Sequence, residues 1–142
     1  MITPPLGLIF SRTIRIDPTL VVPGLPAIFP VMADMPPVFA TAFMIAFIEA
    51  TCIEALAPYL AAGEATVGTG VDIHHVGGTP IGLAATAEVE LTVVEGRKLR
   101  FRVACRDEAE SVGHGWHERF LIDRARFAAR LDAKRIASMA QL

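Results

Sequence analysis

Several features are scarce in this chain, and each scarcity removes a class of explanation. Charge of one sign is not in excess: 13 Lys and Arg stand against 15 Asp and Glu, for a net charge of −2. That balance gives no general electrostatic reason to bind nucleic acid, and no such partner is expected. Cysteine is confined to Cys52 and Cys105, with no CxxC or Cys/His spacing. Both sit among apolar neighbours, so buried free thiols are expected rather than a disulfide or a metal site. No metal or other cofactor is implied. The longest candidate span, Val38 to Ile48, stops at Glu49, short of the roughly 20 residues a bilayer requires. No membrane partner is therefore expected. The leading residues, MITPPLGLIF, hold two early prolines and no basic leader or cleavage pattern, so a cytoplasmic location is the default expectation. Internal repeats and low-complexity tracts are also missing.

What is abundant is apolar surface. Hydrophobic residues make up 53% of the 142 positions, and the mean hydropathy is +0.48. A chain of this length can close one real core, so a single domain over residues 1–142 is expected. The apolar surplus is accounted for by subunit contacts, and a homodimer is expected.

The stretch PPVFATAFMIAFIEATCIEALAPYL, residues 36–60, carries the strongest signal. From Val38 to Ile53 its one charged side chain is Glu49. A helix apolar all round must be buried, and a carboxylate is seldom buried without a partner. Glu49 therefore either meets a donor inside the fold or works in a pocket. The helix is expected to start near Pro36 or Pro37, as suits a first-turn proline, and to end near Leu60, with Pro58 stopping or kinking its last turn.

Around it lie strands. Residues 8–16 read as one strand. A proline-rich segment with Val22, Met32 and Met35 follows at 20–37 and reads as a lid-like loop. In residues 65–75, Val67, Thr69, Val71, Ile73 and His75 share one face by simple alternation, with Thr66, Asp72 and His74 opposite. The mainly apolar set belongs to the core, unless Gly68 and Gly70 host a bulge that shifts the phase. Residues 83–94 place Leu83 to Val93 inward at every second position, and 98–106 place Leu99, Phe101, Val103 and Cys105 inward. Keeping Val93 opposite Leu99 calls for a three-residue turn with glycine in the left-handed position, which sets Glu90 against Arg102 and Thr92 against Arg100. A strand at 111–123 has uncertain phase because of Gly113 and Gly115. Residues 124–138 read as a peripheral basic helix with Phe127 and Leu131 as its apolar contacts. Short links favour antiparallel neighbours. The class is α+β: an antiparallel sheet curled around one long helix.

Three residues could carry chemistry. Glu49 is isolated in its helix and has a candidate partner in His75, on the strand face that meets the helix. His75 ends its strand and is followed by Val76-Gly77-Gly78-Thr79-Pro80, where backbone can approach a ligand. Thr41 lies near the helix start, where helix amides favour a developing negative charge. Eight residues separate Thr41 from Glu49, about 12 Å of rise and about 80° of rotation, so a substrate, a water or His75 must lie between them. His114 and His117 flank Trp116 but face opposite ways on a strand, a poor metal site. Arg119 reads either as an anion contact or as half of a surface ion pair.

The segments PPVFATAFMIAFIEATCIEALAPYL, GEATVGTGVDIHHVGGTP, VEGRKLRFRVACRDE and GHGWHER, taken in this order, resemble the fluoroacetyl-CoA thioesterase family of hotdog-fold proteins, from about Pro30 to Phe127. The resemblance implies a hotdog fold, hydrolysis of a short or medium acyl-CoA, and a catalytic group of Thr41, Glu49 and His75. It also implies acyl-end contacts at Gly68 and Arg119. Where fluoroacetyl-selective members carry lid phenylalanines, this chain has Met32 and Met35, so that selectivity does not follow from the resemblance. Gly77 and Gly78 replace bulkier residues at the acyl or CoA entrance. Two alternatives share such a fold: a hydratase or dehydratase acting on a CoA or carrier thioester, and a non-catalytic acyl-CoA binder.

Overall fold

The computed structural model describes residues 1–141. Strand β1 (Ile9–Arg15) is followed by helix α1 (Thr41–Leu56), then by β2 (Glu64–His75), β3 (Ala84–Glu95), β4 (Lys98–Asp107), β5 (Ser111–Asp123) and helix α2 (Arg124–Met139). Short 3-10 turns occupy Val22–Gly24, Pro30–Asp34 and Ala57–Tyr59. The strands form one antiparallel sheet in the order β1-β3-β4-β5-β2, curled around α1. This is the α+β hotdog arrangement.

The core is built where two periodicities meet. Met44, Phe47, Ile48, Thr51, Cys52, Ala55 and Leu56 form a buried stripe on α1. They face Ala85, Ala87, Val89 and Leu91 of β3 and Leu99, Phe101, Val103 and Cys105 of β4, all buried as their alternation requires. Contrary to the expectation of burial all round, Ala42, Ala46 and Ile53 are exposed. One curled sheet covers one side of a helix, and the opposite side stays open in the single chain. The span Thr41–Tyr59 is long and apolar enough to cross a membrane by length and composition, yet here it is the element on which the core closes.

Helix α1 begins at Thr41, later than expected from the prolines. Residues 38–40 are instead extended and tied down on both sides: Phe39 donates its N–H to Thr79 O at 2.8 Å and Ala40 donates to Leu20 O at 3.0 Å. Those tertiary bonds override the first-turn preference of Pro36 and Pro37. Thr41 thereby becomes the first helical residue, where backbone N–H groups have no partner within the helix.

The short-link expectation fails between β2 and β3, which lie three places apart in the sheet. Residues 76–83 cross from one side of the sheet to the other, past the start of α1. Val76 N–H bonds Val112 O and Gly82 N–H bonds Ile16 O, at 2.8 and 2.9 Å. The crossing is anchored midway by buried Thr79, whose hydroxyl donates to Asp107 Oδ2 at 2.8 Å.

Two bulges reset the strand phases. In β2 the register slips between Gly68 and Gly70, so Thr66 and Gly68 point inward before it and Ile73 and His75 after it. The inward placement of Val67 and Thr69 is thus corrected, and Val71, at 52% exposed, is not a core residue. In β3 the slip lies between Leu91 and Val93. Val94 rather than Val93 stands opposite Leu99, and the hairpin closes through the two residues Gly96 and Arg97, with Gly96 at φ 60°. Glu90 does pair with Arg102, as expected. The glycines that obscured the phase of β5 have steric reasons. A Cβ on Gly113 would sit 2.8 Å from Met44 Sδ, and one on Gly115 would sit 1.9 Å from Asp72 O. Helix α2 has no buried residue. Phe127 is half-buried, while Leu131, expected as a contact, is exposed.

Candidate functional site

Thr41 and His75 come together. The delayed start of α1 puts Thr41 at the helix N-terminus, and the crossing at 76–83 begins directly after His75. Thr41 Oγ1 lies 2.7 Å from His75 Nδ1. The other ring nitrogen, Nε2, is buried and has no hydrogen-bond partner among the described residues. A hydroxyl hydrogen-bonded to an imidazole is the arrangement in which the ring can take up or return the hydroxyl proton.

An apolar cavity of about 440 Å³ opens onto Thr41. Its walls come from the lid, with Val22, Leu25, Met32 and Met35, and from Val38 just ahead of the helix. Both lid methionines singled out in the sequence therefore line it. Gly78 lies against one wall, where an added Cβ would meet Val38 Cγ1 at 3.4 Å. Gly77 does not reach the cavity; its Cβ position faces Glu110 and Val112 at the start of β5.

Glu49 belongs to a second cluster and has no hydrogen bond with His75. Its partner is Arg119, whose Nη1 donates to Glu49 Oε1 at 2.8 Å. Arg119 is 2% exposed while the Glu49 side chain is 38% exposed. The surface ion pair that the sequence allowed is thus a buried cation holding a half-buried carboxylate. A buried guanidinium must have its donors satisfied, and this one is clamped. Nε donates to Thr66 Oγ1 at 2.8 Å, and Nη2 donates to Thr66 O at 2.7 Å. Nη1 also lies 3.2 Å from His117 Nε2. Gly68, brought inward by the β2 bulge, makes the room: a Cβ there would stand 2.8 Å from Glu49 Oε1.

His117 escaped the sequence reading except as a poor metal ligand. It is 1% exposed, and its Nδ1 lies 2.9 Å from Gly70 O. A carbonyl only accepts, so Nδ1 carries the proton and Nε2 is left to accept from Arg119. Burial first, then the neighbouring guanidinium, lowers the His117 pKa, against the opposing pull of the Gly70 carbonyl. A signal was present in the sequence: His117 and Arg119 stand two apart on a strand, hence on one face. His114 points the other way and stacks on His74 with ring centroids 5.6 Å apart. Behind Glu49, burial pushes the Cys52 thiol up to about 12, partly countered by Arg119.

Residues 27–125 match the family model described as FlK, fluoroacetyl-CoA-specific thioesterase. The chain belongs to this family. The fluoroacetyl-CoA thioesterase of Streptantibioticus cattleyicolor is 43% identical over 105 residues, covering 74% of this chain and 76% of that protein. A solved structure of the fluoroacetyl-CoA thioesterase FlK superposes with a TM-score of 0.90 at 38% identity, covering 93% of this chain and 98% of the other. A thioesterase superfamily member from Thermus thermophilus, at 22% identity, shares the fold with a TM-score of 0.85 over 96% of each chain.

Proposed function

We infer that this chain is a thioester hydrolase that cleaves an acyl-CoA to the free acid and CoA. The observation that carries the reading is the 2.7 Å pairing of His75 with Thr41, a residue that lines an apolar cavity. Hydrolysis places a hydroxyl group on the acyl carbon and a proton on the departing sulfur. In this reading the thioester lies between the two clusters, in the gap that helical rise opens between Thr41 and Glu49. Glu49, held by Arg119, takes the proton from the attacking water. His75 supplies the proton to the sulfur. The Thr41 hydroxyl and the free first-turn amides of α1 hold the carbonyl oxygen as it becomes negative.

The cavity supports a short or medium apolar acyl group. Apart from Thr41 its lining side chains are hydrocarbon or thioether, and each buried methylene contributes about 0.8 kcal/mol. Two copies of the chain are proposed to associate through β2. Among the described residues that strand pairs only with β5, and its other edge is open. Exposed Val71 lies on it, and the open side of α1 adds Ala42, Ala46 and Ile53. Burying that surface accounts for the apolar surplus.

The test is a panel of acyl-CoAs, fluoroacetyl-CoA among them, with released thiol measured. Hydrolysis frees the CoA thiol, whereas a hydratase, a dehydratase or a binder does not. Turnover is expected to rise from acetyl toward longer apolar acyl groups. Glu49→Gln is expected to keep the fold and lose thiol release, and unchanged turnover in that variant would defeat the mechanism.

A further inference from the structure

We propose that His117 is a positioning residue for Glu49, acting through Arg119 and fixed in turn by the β2 bulge. The inference rests on the role given to Glu49 above. A carboxylate that takes a proton from water must be held in one place, because small displacements of a reacting group cost large factors in rate. Glu49 is on the open side of α1, and among the described residues its one hydrogen-bonding partner is Arg119 Nη1. The position of that nitrogen therefore decides where the carboxylate sits.

Thr66 fixes the guanidinium at its Nε and Nη2 corners. The Nη1 corner carries the Glu49 bond, and its other hydrogen-bond partner among the described residues is His117 Nε2 at 3.2 Å. Without that acceptor the inner Nη1 proton is buried with nothing to bond, a costly state that the guanidinium relieves by tilting. The tilt carries the Glu49 carboxylate with it.

His117 can accept only while its Nδ1 holds the proton, and Gly70 O enforces that tautomer at 2.9 Å. Gly70 is at the register slip of β2, where the regular ladder is interrupted. Bulge carbonyl, imidazole, guanidinium and carboxylate thus form one chain of contacts from the edge strand to the proposed base. The bulge serves the same end a second way, by presenting Gly68 where a side chain would strike Glu49.

The experiment compares His117→Leu and His117→Gln with the parent chain. Leucine removes the acceptor, while glutamine can still accept from Arg119 through its side-chain oxygen. The expected result for leucine is a kcat lower by about tenfold or more with KM within about threefold, as for loss of one oriented contact. Glutamine is expected to restore kcat to within about threefold of the parent. A leucine variant with unchanged kcat overturns the proposal, and so does a folded glutamine variant as slow as leucine. If leucine does not fold, His117→Phe, which also lacks an acceptor, takes its place with the same expected and overturning results. Glu49→Gln run alongside separates the two readings. If it stays active, the assignment of Glu49 fails; if it is inactive while both His117 variants match the parent, only the role of His117 fails.

Discussion

Replacing Gly68 by alanine should separate activity from stability. The new Cβ would lie 2.8 Å from Glu49 Oε1, against an ordinary contact of 3.4 Å or more, with His117 Cε1 at 3.4 Å and Arg119 Nη1 at 3.6 Å closing the other sides. The carboxylate must therefore retreat by about 0.6 Å, the difference between 3.4 and 2.8 Å, and its 2.8 Å bond to Arg119 is stretched or turned. The backbone has no objection, since Gly68 is not among the glycines with positive φ. Alanine even favours folding by about 0.4–1 kcal/mol through the unfolded chain, which roughly offsets the strained ion pair. A misplacement near 1 Å can cost on the order of 100-fold in rate, so kcat should fall about tenfold to a hundredfold while the melting temperature moves by a few degrees at most. Released thiol and thermal unfolding are the two assays. Burial holds the Cys52 and Cys105 thiols up at about 12 and about 11, so in the folded protein the thiol reagent reads CoA alone. Full activity in Gly68→Ala would refute the claim that Glu49 works from the position Arg119 gives it.

Asp107 should set part of the acid sensitivity of the fold. It accepts from Thr79 Oγ1 and from the amides of Ala109 and Glu110 at 2.8–2.9 Å. Although burial opposes charge, those three bonds leave its pKa below the ordinary 3.8. A depressed folded pKa means stability that is present above the unfolded value and lost as pH falls through the folded one. The parent chain should therefore lose melting temperature below about pH 4, and Asp107→Ala should be destabilised by about 1–3 kcal/mol at neutral pH, with a flatter acid response. Equal acid responses of the two would count against it. The proposed association through β2 predicts a solution mass of twice 15.3 kDa by light scattering. A charge placed at Val71 should lower it, and a monomeric parent chain would rule the interface out.

Much of this protein is decided by local pattern. Alternation along β3 and β4 selected the buried faces without error up to Leu91, because a half-buried sheet leaves a period-two trace. The isolation of Glu49 in an apolar helix marked it as needing a donor, since desolvation penalises an unpaired carboxylate wherever the chain folds. The blocks from PPVFATAF to GHGWHER carried the family resemblance. Other features depend on contacts between segments far apart in sequence. The start of α1 at Thr41 is imposed by bonds from residues 38–40 to Leu20 and Thr79, which no local propensity encodes. The bulges at Gly68–Gly70 and Leu91–Val93 are fixed by pairing with β5 and β4. They turn Gly68 and Thr66 inward where simple alternation turned them out. The donor for Glu49 proved to be Arg119 rather than His75, because the sheet order brings β5 beside β2 and against the helix. Sequence alone thus determined which residues need partners, through burial and charge; only the tertiary structure decided which partners they have, because that depends on strand order and register.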